Sequence, residues 1–176
     1  MSQQDIQGFY ADHPQLASIT ADLNDRQANS YLLNGLVGSA KSLLITELFK
    51  QTDLPFLVIM EDKEQAAYYL NDLERLVGEK DVLFYPGSYR RPYQLEETDN
   101  ANVLLRAEVL NRINSRKKPS IILTYPEALS EKVITKKELT NSILELKVGQ
   151  EIDSEFVNEA LFEYHFERVD FVTEPG

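Results

Sequence analysis

The sequence contains no cysteine and only two histidines, His13 and His165. Lack of cysteine excludes disulfides and thiolate metal sites and fits a reducing cytoplasm. With the two histidines far apart, imidazole metal binding is not expected either. No apolar run approaches the ~18 residues of a membrane span, and the N-terminus, MSQQDIQGFY, lacks the basic and then apolar regions of a signal peptide. Positive charge is scarce as well: 18 Lys and Arg against 29 Asp and Glu leave a net charge of −11, with a pI near 4.7. A protein that grips DNA unaided needs cations to displace counterions from phosphates, so autonomous DNA binding is disfavoured. The expectation is a soluble, cytoplasmic protein with no metal and no membrane partner. Two short basic clusters, Arg90-Arg91 and Arg116-Lys117-Lys118, stand against the trend. The second falls at the end of a predicted helix, where cations complement the dipole.

What is present is a 43% hydrophobic content in 176 residues, enough for the core of one domain plus a small second unit. The rest of the chain is read from Tyr31 to Phe49, YLLNGLVGSAKSLLITELF. It predicts an apolar strand (Tyr31, Leu32, Leu33), a turn with Gly35 and Gly38, and a helix carrying Leu44, Ile45, Leu48 and Phe49. This is the layout of a phosphate-binding loop. Gly35, Lys41 and Ser42 meet the pattern G-x-x-x-x-G-K-[ST], but Ala40 stands where its second glycine belongs. A Cβ there crowds a phosphate at the helix N-terminus or excludes the backbone angles it needs. The loop reads as degenerate, a structural turn starting a core helix. Retained nucleotide binding through Lys41 and Ser42 is the alternative.

Residues 1–28 predict two short helices broken near His13-Pro14, packed on the sheet edge, with Pro14 in the first turn of the second. After the loop helix, Phe56 to Met60 is a continuous apolar run, as expected of a strand covered on both faces. Asp62 caps the next helix with Gln65 three residues on, and Gly78 ends it. Val82 to Tyr85 is a second buried strand. A helix capped by Thr98 or Asp99 follows, with Val103, Ala107, Leu110 and Ile113 as its apolar face. Then come a third strand, Ile121 to Leu123, and a short helix after Pro126. The alternation predicts an α/β fold, a parallel sheet with helices on both faces. From about residue 140 the pattern changes: Ser142 to Val148 alternates like a half-exposed strand, Asp153 caps a helix with Phe156, Val157, Ala160 and Leu161, and Phe166 to Val172 returns as a strand. The domains expected are 1–140 and 141–176, the latter the start of a small α+β unit.

Hydrolysis at a phosphate loop needs a carboxylate at the end of a neighbouring strand. The strand Ile121 to Leu123 ends in Thr124 and Tyr125, and Asp62 reads as a cap, so no catalytic residue is assigned. The polar connection Ser88 to Asn100, SYRRPYQLEETDN, sits where parallel sheets keep their sites. Its Tyr89, Arg90, Arg91 and Tyr93 form a second candidate site, with nucleic acid as a weaker possible partner. The opposing reading is a solvated connection.

The ordered series GLVGSAKSLL, FLVIMEDKEQAAYYLNDL, VLFYP followed by RPY, NVLLRAEVLNRI, IILTYPEAL and LKVGQEID through LFEYHFERVDFVTEPG resembles the N-terminal end of the bacterial transcription-repair coupling factors, the Mfd family. The resemblance runs from about residue 30 to the end. That family's N-terminal module is in turn similar to UvrB, whose phosphate loop is intact. The resemblance implies a RecA-like, UvrB-like first domain and a second one cut short, in a non-catalytic module that recruits UvrA to RNA polymerase stalled at a lesion and restrains the rest of the protein. ATP, Mg²⁺ and DNA then belong to later motor domains. UvrB's long DNA-inserting hairpin has no room in the interval Ser88 to Asn100. The family's UvrA-contacting residues lie past the closing Pro-Gly, so none is assigned here.

Overall fold

The computed structural model describes residues 8–11, 13–25, 30–89, 99–115, 118–133, 135, 137 and 148–163. The chain divides into two compact units, Met1–Glu131 and Lys132–Gly176. In the first, a helical turn at 8–11 precedes helix α1 (Pro14–Asn24), and α2 (Ala40–Gln51) leads to strand β1 (Phe56–Ile59). Helix α3 (Lys63–Val77), β2 (Val82–Phe84), α4 (Asn100–Ser115), β3 (Ile121–Thr124) and α5 (Pro126–Ser130) follow. The described part of the second unit contains α6 (Ser154–Glu163).

The strands form a parallel sheet in the order β1-β3-β2, with Phe56 and Val82 both in register with Ile121. The chain steps over β3 on its way from β1 to β2 and returns from β2 to β3. Crossovers of one hand running in opposite directions place their helices on opposite faces. Side-chain packing agrees. Ile121 and Leu123 meet Tyr69 and Leu73 of α3, with Ile45 and Phe49 of α2 beside them. On the other face Leu83 and Ile122 meet Val109 of α4 and Ala128 of α5. Leu73, Ile121 and Leu123 are fully buried, and each contributes about 1.5–3 kcal/mol through removal from water. The expected α/β class and the three central strands are therefore present, within a residue of the bounds read from the sequence.

Local signals also hold. His13 caps α1 ahead of Pro14, its Nδ1 accepting from Gln15 N–H at 3.3 Å. Leu16 and Ile19 pack on Leu48 of α2, with Phe56 of β1 close by. Asp62 Oδ1 accepts from Gln65 N–H at 2.7 Å, and Gly78 stops α3 with φ 118°, which a residue with a Cβ rarely adopts. In the second unit Asp153 Oδ1 accepts from Glu155 N–H at 2.9 Å at the start of α6.

Three expectations fail. Residues 31–37 form no strand, and Leu32 is 86% exposed. The Tyr31 hydroxyl donates to Asp22 of α1, so this segment lies beside α1 rather than in the sheet. β1 is not covered on both faces: Phe56 and Val58 face the α2–α3 side, while Leu57 and Ile59 remain 57% and 54% exposed. It is the edge strand of the described sheet, and α4 packs over β2 instead. Finally, α4 buries Arg106 and Val109 rather than the predicted stripe, leaving Val103, Ala107 and Ile113 exposed. Apolar residues occur all around this helix, and the side that faces inward is the one carrying Arg106 with its hydrogen bonds to Pro86 O and Ala128 O. The predicted strands at 142–148 and 166–172 fall almost wholly outside the described residues.

Candidate functional site

The segment read from the sequence as a degenerate phosphate loop is a turn closed on itself. Gly35 and Gly38 adopt φ of 83° and 56°, the left-handed region that suits glycine. Ala40 is the first residue of α2, a helical position that accepts a Cβ. Its N–H donates to Val37 O at 3.2 Å, and Leu43 N–H donates to Ser39 O at 3.0 Å. In a working phosphate loop such N–H groups face the ligand. Lys41 is exposed, but Ser42 is fully buried and its hydroxyl donates to Asp72 Oδ2 of α3 at 3.1 Å. Beside the loop lies an open cleft of about 810 Å³, lined by Tyr10, His13, Leu16, Leu32, Leu36 and Leu44 among others. Sequence reasoning missed this cleft, because it depends on the segment after Tyr31 leaving the sheet.

The carboxyl end of β3 carries no acid. Thr124 is buried, and its hydroxyl donates to Tyr85 O at 2.9 Å, tying β3 to the end of β2. The Tyr125 hydroxyl accepts from Gly87 N–H at 2.8 Å. Around these groups lies a polar cluster that sequence reasoning also missed. Arg106 is buried, and its Nη1 donates to Pro86 O at 2.7 Å and Ala128 O at 3.1 Å, 3.3 Å from Glu131 Oε2. Its guanidinium lies 4.2 Å from the Tyr85 ring centroid, within cation–π range. The Nη2 atom finds no partner among the described residues. Burial pushes both phenols above the ordinary tyrosine pKa. Arg106 opposes the rise at Tyr85, and the Gly87 hydrogen bond opposes it at Tyr125.

Glu131 completes the cluster. It accepts from Ser88 N–H at 2.9 Å and from the Ser88 hydroxyl at 2.7 Å. Gly87 runs so close that a Cβ there would stand 2.9 Å from Glu131 Oε1 and 3.3 Å from the Tyr125 hydroxyl, so a side chain at this position would require the carboxylate to shift. Ser88 O accepts from Asp99 N–H at 2.8 Å, and Asn102 Nδ2 donates to Gly87 O at 2.9 Å. Asp99 caps α4 by accepting from Ala101 N–H at 3.1 Å. Both ends of the second candidate segment are thus fastened to one cluster. Tyr89 lies within the described residues and is partly buried; Arg90, Arg91 and Tyr93 lie outside them. Of the basic cluster 116–118 only Lys118 is described, and it pairs with Asp81 at 2.6 Å on the surface, a contact worth little. Neither a cluster of metal-ligand side chains nor a helix long and apolar enough to cross a membrane occurs among the described residues.

No protein-family model matches the chain. The transcription-repair-coupling factor of Bacillus subtilis (strain 168) is 28% identical to it over 172 residues, which cover 97% of this chain and 14% of that protein. The resemblance read from the ordered motifs is therefore upheld along nearly the whole chain.

Proposed function

Because the chain is related to a transcription-repair-coupling factor along almost its full length, we propose that it is a non-catalytic interaction module of such a factor. In this role it recruits the excision-repair protein UvrA and restrains the rest of the molecule. RNA polymerase, DNA, ATP and Mg²⁺ are engaged elsewhere in the whole protein. The 172-residue match carries the reading. Three features support the absence of catalysis: Ser42 is buried against Asp72, Ala40 N–H is taken by Val37 O, and β3 ends in Thr124 and Tyr125 rather than an acid. A net charge of −11 favours protein partners over the DNA polyanion. Calorimetric titration with UvrA tests recruitment directly.

The two positive-φ glycines and the neighbouring cleft favour a second reading, a nucleotide-binding domain or weak ATPase using Lys41 and Ser42. A ligand at 100 times its Kd stabilises the folded state by about 2.7 kcal/mol. Saturating Mg-ATP therefore raises the melting temperature by several degrees on the second reading and leaves it unchanged on the first.

A further inference from the structure

We propose that the apolar face left open over β1 seats an amphipathic helix from elsewhere in the full-length polypeptide. This rests on the reading of the chain as a module of a coupling factor that restrains the rest of the molecule, and it names a surface for that role. The two faces of the sheet are unequally covered. One carries α2 and α3, with Ile45, Phe49, Tyr69 and Leu73 over Ile121 and Leu123. On the other, α4 packs over β2, and α5 has only five residues. Leu57 of β1 stands level with Ile122 of β3 and so points to the same face, where Ile122 meets Val109 of α4. Leu57 and Ile59 are nevertheless 57% and 54% exposed. The handedness of the fold sets the wall beside them. A right-handed crossover from β2 through α4 to β3 places β3, and then β1, on one flank of α4. That helix turns Arg106 and Val109 inward, so Val103, Ala107 and Leu110, about a quarter-turn further round a right-handed helix, lie on the flank toward β1. Val103 and Ala107 are exposed and Leu110 is partly buried. Three of the four residues in the apolar stripe read from the sequence thus wall a groove whose floor is Leu57 and Ile59. Its width suits one helix: β1 lies two strands from β2, about 9.6 Å at the usual spacing, and packed helices lie about 8–10 Å apart. Two observations point to the source of that helix. None of the five groove residues carries a charged or hydrogen-bonding side chain, the character of a permanent contact rather than an exchanged partner. The match to the related coupling factor covers 97% of this chain but 14% of that protein, so most of such a polypeptide lies outside the matched part.

The chain has no cysteine, so thiols introduced singly by Leu57→Cys, Val103→Cys and Asn111→Cys report their own sites. Asn111 is exposed, on the side of α4 away from the sheet, and serves as the control. Alkylation by iodoacetamide is followed by mass spectrometry of the labelled peptide, in the 176-residue chain and in the full-length polypeptide. All three variants are expected to label fast in the 176-residue chain. In the full-length polypeptide Leu57→Cys and Val103→Cys are expected to label about tenfold more slowly or less, as for a face that opens about a tenth of the time or less, with Asn111→Cys unchanged. Ile59→Cys takes the place of Leu57→Cys if that variant does not fold. The proposal is overturned if positions 57 and 103 label equally fast in both proteins, or if all three positions slow together. Slow labelling already in the 176-residue chain also overturns it: dependence on protein concentration would make the occupant a second copy, and independence would place it within the chain. Protection that appears only when UvrA is added would make UvrA the occupant and overturns it too. Calorimetry with UvrA separates this surface from the reading it rests on. UvrA binding with unslowed labelling removes only the surface, whereas slowed labelling without UvrA binding keeps the surface and removes recruitment.

Discussion

Arg106→Ala removes the centre of the buried polar cluster, and its cost follows from what is left behind. The Arg106 and Glu131 side chains are 7% and 16% exposed, so the pair is largely withdrawn from water. Breaking one member of such a pair costs about 3–5 kcal/mol, because the other charge stays buried. Glu131 retains both Ser88 donors, which places the estimate near the lower bound, about 3 kcal/mol. The carbonyls of Pro86 and Ala128 also lose their donor, and the Tyr85 ring loses its cation. At about 2–4 °C per kcal/mol for a chain of this size, the melting temperature should fall by about 6–12 °C. Arg106→Met keeps much of the aliphatic stem, so the part of the fall it reproduces belongs to the charge and the remainder to packing. Scanning calorimetry with urea titration as a second measure would serve. Melting of Arg106→Ala within about 2 °C of the parent, on the same conversion, would refute the buried-pair reasoning.

Other expectations concern the loop, the core and the tyrosines. Ala40→Gly restores the pattern's missing glycine but leaves Ser42 bonded to Asp72. At the first position of α2 it should lower stability by less than the ~0.5–1 kcal/mol of a mid-helix glycine, without creating a melting shift in Mg-ATP; a new shift would mean that Ala40 alone blocks the site. Leu123→Ala, at a fully buried position, should cost about 2–5 kcal/mol, whereas Leu57→Ala, 57% exposed, should cost less than about 1 kcal/mol. Equal losses in urea denaturation would show that the second face of β1 is covered after all. Tyr85 and Tyr125 have folded pKa values raised by burial. Their stabilisation is therefore complete below about pH 10, the unfolded value, and is lost as pH rises from there through the raised folded values. Tyr125→Phe should flatten that alkaline decline and, by removing the acceptor for Gly87 N–H, cost about 1 kcal/mol at neutral pH.

The sheet was legible because each of its strands is a short apolar run bounded by turn residues, and the helix signals are local: Asp62 and Asp153 accept cap hydrogen bonds, while Pro14 and Gly78 act through their backbone angles. What was not legible depended on distant partners. Tyr31 to Leu33 has strand composition, yet it lies outside the sheet, with the Tyr31 hydroxyl bonded to Asp22 of α1. The orientation of α4 was hidden because Val103, Leu104, Leu105, Val109, Leu110 and Ile113 leave no single apolar stripe. The carbonyls that turn Arg106 inward are 20 and 22 residues away in sequence. For the same reason the cluster around Glu131 has no sequence signature. Only the interval between Asn102, Arg106 and Val109, which places them on one side of a helix, hinted at a polar residue on the buried face.

The interaction-module reading is tested most directly by titrating purified UvrA, in a calorimeter, into this chain and into a version of the same protein extended by about 50–100 residues, the scale of one small domain. The account predicts binding to the extended protein, with Mg-ATP adding nothing to the stability of this chain. Absence of binding to both would contradict the recruitment role while leaving the kinship with the coupling factor intact.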